Sequence, residues 1–327
     1  MFTTAPLFGR FHSPLARAAR PLRQPRPLHH LESLCADWID PRLLDTPEEQ
    51  RERIYTPKLT FLAFLDQALH PGSSCRDAVR QIQAYYQSLR PSPRIDSDTS
   101  AYCQARLRLQ LPQLVLLRRH LAEHSGLDPL PFFVPGDHCF KVVDGTCLNL
   151  PDTQANRLAY PQSEDQKPGC GFPLLRLVGV FSLRTGALLE RQSGPYKASE
   201  QALYQQLWPA FKPGDIILSD RNFCSWVPVA FLKVNDIDSL SRLHASRNAD
   251  FRQGKHLGPN DRLVTLAKPQ KRPANLSEAQ WEQLPATLTV RLVRFRVPTQ
   301  NGRSKKIILM TTLLDPVLWP TELLAAL

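Results

Sequence analysis

No apolar run in this 327-residue chain approaches the ~20 residues that a membrane-spanning helix requires. No two of the seven cysteines (35, 75, 103, 139, 147, 170 and 224) form a CxxC pair, and their number is odd. That spacing argues against a zinc ribbon or a disulfide framework and for a reducing, cytoplasmic compartment. No internal repeat is present, and no helix-turn-helix signature can be read. No acidic residue precedes Glu32, so residues 1–31, with five arginines among prolines, read as a basic, disordered tail. A basic arm on DNA and a transit-peptide composition are the alternatives for that tail.

What is present is basic charge. Forty-one Lys and Arg against 30 Asp and Glu leave a net +11, which favours a polyanionic partner, nucleic acid before membrane. A hydrophobic content of 42% over this length suffices for two or more domains.

Three helical patterns follow the tail, and they predict an all-helical domain over 32–130. Thr56-Pro57 supplies an N-cap and a first-turn proline. Cys75, Val79, Ile82, Tyr86 and Leu89 recur at helical spacing. "PQLVLLRRHLAEHSG" ends at Gly126, placed as a C-terminal stop. Arginines spread over these helices read equally as a solvated face or as a DNA-binding surface. A proline-rich join near 128–137 then gives way to strand patterns over 131–327. The expected order is strands 139–146, 173–183 and 187–193, with Gly186 in the turn between the last two, then a helix 199–211 and the strand "DIILSD". Three strands, a helix and a strand begin an α/β layered domain. Residues 236–306 turn basic and polar, with "LTVRLVRFRVP" alternating as a half-exposed strand, and read as a β-rich insertion. An apolar strand, 304–315, follows.

Two aspartates close apolar strands in this reading: Asp144 after Val142-Val143, and Asp220 after Ile216 to Ser219. A carboxylate where a buried strand runs out is costly unless paired. If the two strands are neighbours, the carboxylates repel unless a divalent cation lies between them. That is the arrangement of two-metal phosphoryl transfer with Mg2+ or Mn2+. A turn cap is the alternative for each, Asp-Gly at 144–145 above all.

"VVDGT", "ILSDRNF", "RLHASRNADFRQGKHLGPNDRLVTLAKP" and "TTLLDP", in this order, resemble the DDE transposases of bacterial insertion sequences, in the IS-four family. "YTPKLTFLAFLDQAL", "SSCRDAVRQIQA" and "DTSAYCQARLRL" resemble the helical N-terminal region of the same group. The resemblance covers about 50–327. It implies a ribonuclease H-like core with a β-rich insertion, in which Asp144 and Asp220 are catalytic metal ligands. Arg221 would contact a DNA phosphate, and Arg242, His244, Arg247, Arg252 and Lys255 would meet the backbone of the transposon end. A surface-solubility role for those five is equally open. His244 has no second histidine at ligand spacing and reads as a phosphate or structural contact rather than a metal neighbour. The partners implied are double-stranded DNA, at transposon ends and target, and a second copy of the chain as a candidate, with neither a membrane nor a nucleotide cofactor.

One departure bears on activity. The family carries its third acidic ligand, a Glu, on a helix beyond "TTLLDP", whereas here "TTLLDPVLWPTELLAAL" ends the sequence. Glu322 falls too early and Asp315 lies in a turn. The expectation is a chain with two of three carboxylates, truncated and impaired in catalysis; the alternative is a DNA-binding protein that acts as an inhibitor or remnant.

Overall fold

The structure, a computed structural model, describes residues 27–36, 39–44, 53–70, 72–89, 95–124, 134–163, 167, 169–243, 249–298 and 304–327. Among them are ten α-helices and nine strands. No helix among the described residues is long and apolar enough to cross a membrane. The chain divides into two compact units at 128/129.

The first unit is helical: α1 (Leu28–Cys35), α2 (Pro57–Leu69), α3 (Cys75–Leu89), α4 (Ser100–Arg108) and α5 (Leu111–His124). The Leu59 amide donates to Thr56 Oγ1 at 3.2 Å and Pro57 occupies the first position of α2, as the sequence predicts. Ser74 and Asp77 cap α3 reciprocally, each donating its backbone amide to the other's side chain. Val79 and Ile82 are buried and Tyr86 half-buried on the expected face of α3. Leu28 and Leu31, assigned to the tail by sequence, are buried against Leu59, Leu62 and Tyr102. Each such leucine contributes about 1.5–3 kcal/mol, which holds α1 in the core despite the basic stretch before it. Residues 1–26 and the Gly126 stop lie outside the described residues.

Four tyrosines sit within this unit, and three of them bear on its response to pH. Tyr85 Oη donates to Glu32 Oε2 at 2.9 Å, and Tyr102 Oη donates to Gln67 Oε1 at 2.6 Å. Burial, then the Glu32 carboxylate, pushes Tyr85 up to about 12; burial also raises Tyr102 and Tyr55. Their neutral forms therefore favour the folded state. That contribution is complete below the unfolded tyrosine value of about 10 and is lost as pH rises toward 12. Helical circular dichroism should collapse between pH 10 and 12 together with phenolate absorbance. Full phenolate formation without loss of helix would contradict it.

The second unit takes in 129–184 and 188–327. Its strands are β1 (Cys139–Asn149), β2 (Leu174–Ser182), β3 (Leu188–Pro195), β4 (Asp215–Ser219), β5 (Asp238–Arg242), β6 (Lys255–Gly258), β7 (Asp261–Ala267), β8 (Thr287–Pro298) and β9 (Ser304–Thr311). They form one sheet in the order β3-β2-β1-β4-β5-β9-β8-β7-β6. Strands β1, β4 and β5 run parallel; every other pair is antiparallel. Gly186, at φ +74°, makes the turn between β2 and β3. The helices of this unit are α6 (Gln154–Ala159), α7 (Glu200–Leu207), α8 (Trp226–Val234), α9 (Glu278–Glu282) and α10 (Thr321–Ala326).

Alternation along the strands divides the core. Val143, Val178, Val180 and Ile217 pack with Leu203, Tyr204 and Leu207 of α7 and Val229 and Ala230 of α8. On the opposite face Phe140, Ile216, Leu218 and Leu240 pack with Leu313, Trp319 and Leu324, the last on α10.

Three features depart from the sequence reading. Strand β1 continues past Asp144 to Asn149, because its β2 side stays paired to Asn149↔Leu174 after its β4 side ends at Val143↔Ser219. Asp144 is therefore a mid-strand residue, opposite Gly179, and not a strand-end turn cap. Strand β5, placed at the front of the β-rich insertion, pairs parallel with β4 inside the sheet. The remaining strands of that stretch, read as an insertion, extend the same sheet through β9.

Candidate active site at the ends of β1, β4 and β5

Two aspartates of opposite character mark the ends of β4, Asp215 as its first residue and Asp220 just past its last. Asp215 is buried, paired with Lys141 Nζ at 2.5 Å, and accepts from the Lys212 amide at 2.7 Å. Asp220, just past the strand, is exposed, and its carboxylate has no side-chain partner among the described residues. Water solvates it, so the burial cost expected from sequence does not arise. Pairing explains Asp215 structurally; nothing structural explains Asp220.

Register supplies its neighbours. The β1–β4 ladder ends at Val143↔Ser219 and the β4–β5 ladder at Ser219↔Ser241. Ser219 Oγ and Ser241 Oγ meet at 2.7 Å across that last pair. One step further, Asp144, Asp220 and Arg242 stand in a row at the carboxyl-terminal side of three parallel strands. Ligands bind at this edge of open α/β sheets. All three residues are exposed, as is Arg221. With strands about 4.8 Å apart, the two carboxylates repel each other, and Arg242 on the far side of Asp220 offsets part of that charge.

Local hydrogen bonds orient the pair. The Gly145 amide donates to Asp144 Oδ1 at 2.8 Å. After Asp220 the chain turns tightly: the Phe223 amide donates to the Asp220 carbonyl at 3.0 Å and the Cys224 amide to that of Arg221 at 3.3 Å. Both carboxylates are oxygen donors suited to a hard divalent cation. No group of three or more His, Cys, Asp or Glu among the described residues is placed to hold a metal ion.

The other sequence-predicted contacts scatter. Arg252 is forked onto Asp250, with Nε to Oδ1 at 3.0 Å and Nη2 to Oδ2 at 3.1 Å. That guanidinium holds the Asp250 carboxyl below the usual carboxylate range. Lys255 begins β6, the edge strand, five strand positions from β4. At roughly 4.8 Å per strand that is about 24 Å along the sheet. His244 and Arg247 lie outside the described residues. Asp315 accepts from the Val317 amide at 2.7 Å and the Leu318 amide at 3.2 Å, in the turn the sequence predicts, and Glu322 is exposed on α10.

The chain is 25% identical over 185 residues to the transposase InsG for insertion sequence element IS4 of Escherichia coli (strain K12). The match covers 54% of this chain and 38% of that protein, so the chain spans well under half of its relative. No protein-family model matches. The likeness is distant, and it agrees with the family resemblance carried by the motifs around Asp144 and Asp220.

Sequence reasoning missed Glu200. It opens α7 behind the N-cap Ser199, whose Oγ accepts from the Ala202 amide at 3.0 Å. Its carboxylate accepts from Asn222 Nδ2 at 3.4 Å, and Gln201 Nε2 donates to the Asn222 carbonyl at 3.2 Å. A Ser-Glu helix start reads as ordinary capping, so only the tertiary contact to Asn222 sets Glu200 apart.

Proposed function

We propose that this chain is an insertion-sequence transposase of the IS-four type, built on a ribonuclease H-like core. The observation that carries the reading is the register that sets Asp144 beside Asp220 on parallel strands. Support comes from the order β3-β2-β1-β4-β5, with β2 antiparallel and α7 between β3 and β4, and from the similarity to an IS4 transposase. In this reading Asp144 and Asp220 would hold Mg2+ or Mn2+ through their carboxylate oxygens. When bound, such ions activate the attacking oxygen and stabilise the leaving one. Arg221 and Arg242 neutralise DNA phosphates beside that site, and the basic excess of the chain draws the duplex in. Double-stranded DNA is the partner, in the cytoplasm.

Mg2+-dependent nicking and strand transfer on DNA carrying the terminal repeats tests this. The unaltered chain should cleave, and Asp220→Asn should bind the same ends with unchanged affinity and not cleave. A second reading, end binding without catalysis, is favoured by the absence of a three-ligand group among the described residues. It predicts that both proteins bind and neither cleaves. Loss of specific binding by both would remove either reading.

A further inference from the structure

We infer that Glu200 is a positioning residue: through Asn222 and Gly145 it locks the Asp220 turn to the Asp144 strand beyond the point where the backbone ladder stops. This rests on the assignment of Asp144 and Asp220 as the working pair. The last backbone pair between β1 and β4 is Val143↔Ser219. Past it, two exposed carboxylates repel, and no ladder bond holds their peptides together.

Glu200 spans that gap. Its carboxylate lies against Gly145, the residue whose amide orients Asp144, and it also accepts from Asn222, two residues after Asp220. Gln201 grips the carbonyl of the same Asn222, so the first turn of α7 holds the Asp220 turn by both its side chain and its backbone. Gly145 is a condition of this arrangement. A methyl group there would come within 3.1 Å of Glu200 Cδ and 3.3 Å of Oε1. Strand alternation puts Gly145 on the Val143 face and Asp144 on the opposite one, so Glu200 supports the pair from behind rather than joining it.

The contact is a hydrogen-bond acceptor's work, and a glutamine oxygen can do it as well as a carboxylate. That separates positioning from any role that needs the charge. Hydrogen exchange in the metal-free full chain reads it directly at the amides of Phe223 and Cys224. Glu200→Ala and Asn222→Ala should speed their exchange about fivefold, the size of one lost hydrogen bond. Glu200→Gln should exchange as the unaltered protein does, and all three should keep its melting temperature. Should Glu200→Ala fail to fold, Asn222→Ala, at an exposed residue, carries the same test. Unchanged exchange in both alanine variants, or a Glu200→Gln as fast as Glu200→Ala, overturns the inference. A Mn2+ titration followed by water-proton relaxation separates the inference from the reading beneath it. There, Glu200→Ala should bind about fivefold more weakly, with glutamine restoring affinity. Failure of the unaltered chain to bind Mn2+ would sink the metal assignment, and the exchange result would still decide the clamp.

Discussion

Arg291→Met should destabilise the sheet unit by about 3–5 kcal/mol, the cost of stranding one member of a buried ion pair. Arg291 is fully buried and Asp261 is 6% exposed. The guanidinium forks onto the carboxylate, Nε to Oδ1 at 2.8 Å and Nη2 to Oδ2 at 2.5 Å. Its remaining arm donates to the carbonyls of Trp319, at 2.6 Å, and Asp315, at 3.4 Å. One side chain thus joins β7, β8 and the segment leading into α10. The intact pair contributes little net stability, since Coulomb attraction roughly offsets desolvation; the penalty comes from what is left behind. An apolar double replacement, Arg291→Met with Asp261→Leu, should therefore recover most of the loss. It should fall short by about 1 kcal/mol for each carbonyl still without a donor. Urea unfolding followed by tryptophan fluorescence measures both variants. A single variant costing under about 1 kcal/mol, or a double variant no better than the single, would show that the clamp is not stabilising in this way.

Arg291 also shows where the sequence stopped being legible. "LTVRLVRFRVP" reads as a half-exposed strand, with Arg291 on the Thr289 side that reads as exposed and Arg294 and Arg296 on the other. Leu288 and Val290 do face the core, but Arg291, Leu292 and Val293 are all buried, because the segment following β9 covers the second face of β8. Alternation reports one buried face and is blind to a second layer. The same blindness hid β5, whose "DSLSR" offers one apolar residue and becomes a core strand by pairing between β4 and β9. Helix α8, "WVPVAFLKV", is buried nearly all round, so it has no polar face to reveal a helical period; Pro228 is tolerated because it falls in the first turn. By contrast, "DIILS" was readable as a strand from its own residues, and the IS-four-like motifs pointed to both aspartates. What those motifs left out was lateral: the row of Asp144, Asp220 and Arg242, and the contact of Glu200 with Asn222, join residues distant in sequence. The two strands are neighbours, the condition the sequence reading sets for the carboxylates to meet, but only Asp220 stands at a strand end.

That row fixes opposite outcomes for two variants that look equivalent. Asp144 has Asp220 on one side and Gly179 on the other, whereas Asp220 lies between Asp144 and Arg242. In the metal-free protein, Asp144→Asn keeps an oxygen for the Gly145 amide and removes a repulsion, worth about 1 kcal/mol or less between exposed charges some 5 Å apart. Its melting temperature in EDTA should rise. Asp220→Asn gives up an attraction to Arg242 of similar size along with the repulsion, and its melting temperature should stay where it was. Excess Mg2+ inverts the ranking. At a hundredfold excess over the dissociation constant, binding stabilises the unaltered chain by about 2.7 kcal/mol. Neither variant should gain that increment, and strand cleavage by either should fall on the order of a thousandfold, as several kcal/mol of transition-state stabilisation vanish. Melting curves with EDTA and with Mg2+, for three proteins, read the stability changes without DNA, and a nicking assay on the terminal repeats reads the cleavage. If Asp144→Asn and Asp220→Asn shift identically in EDTA, Arg242 is not felt at Asp220. If both variants still gain stability from Mg2+, the ion sits elsewhere, and these two carboxylates are neighbours for some other reason.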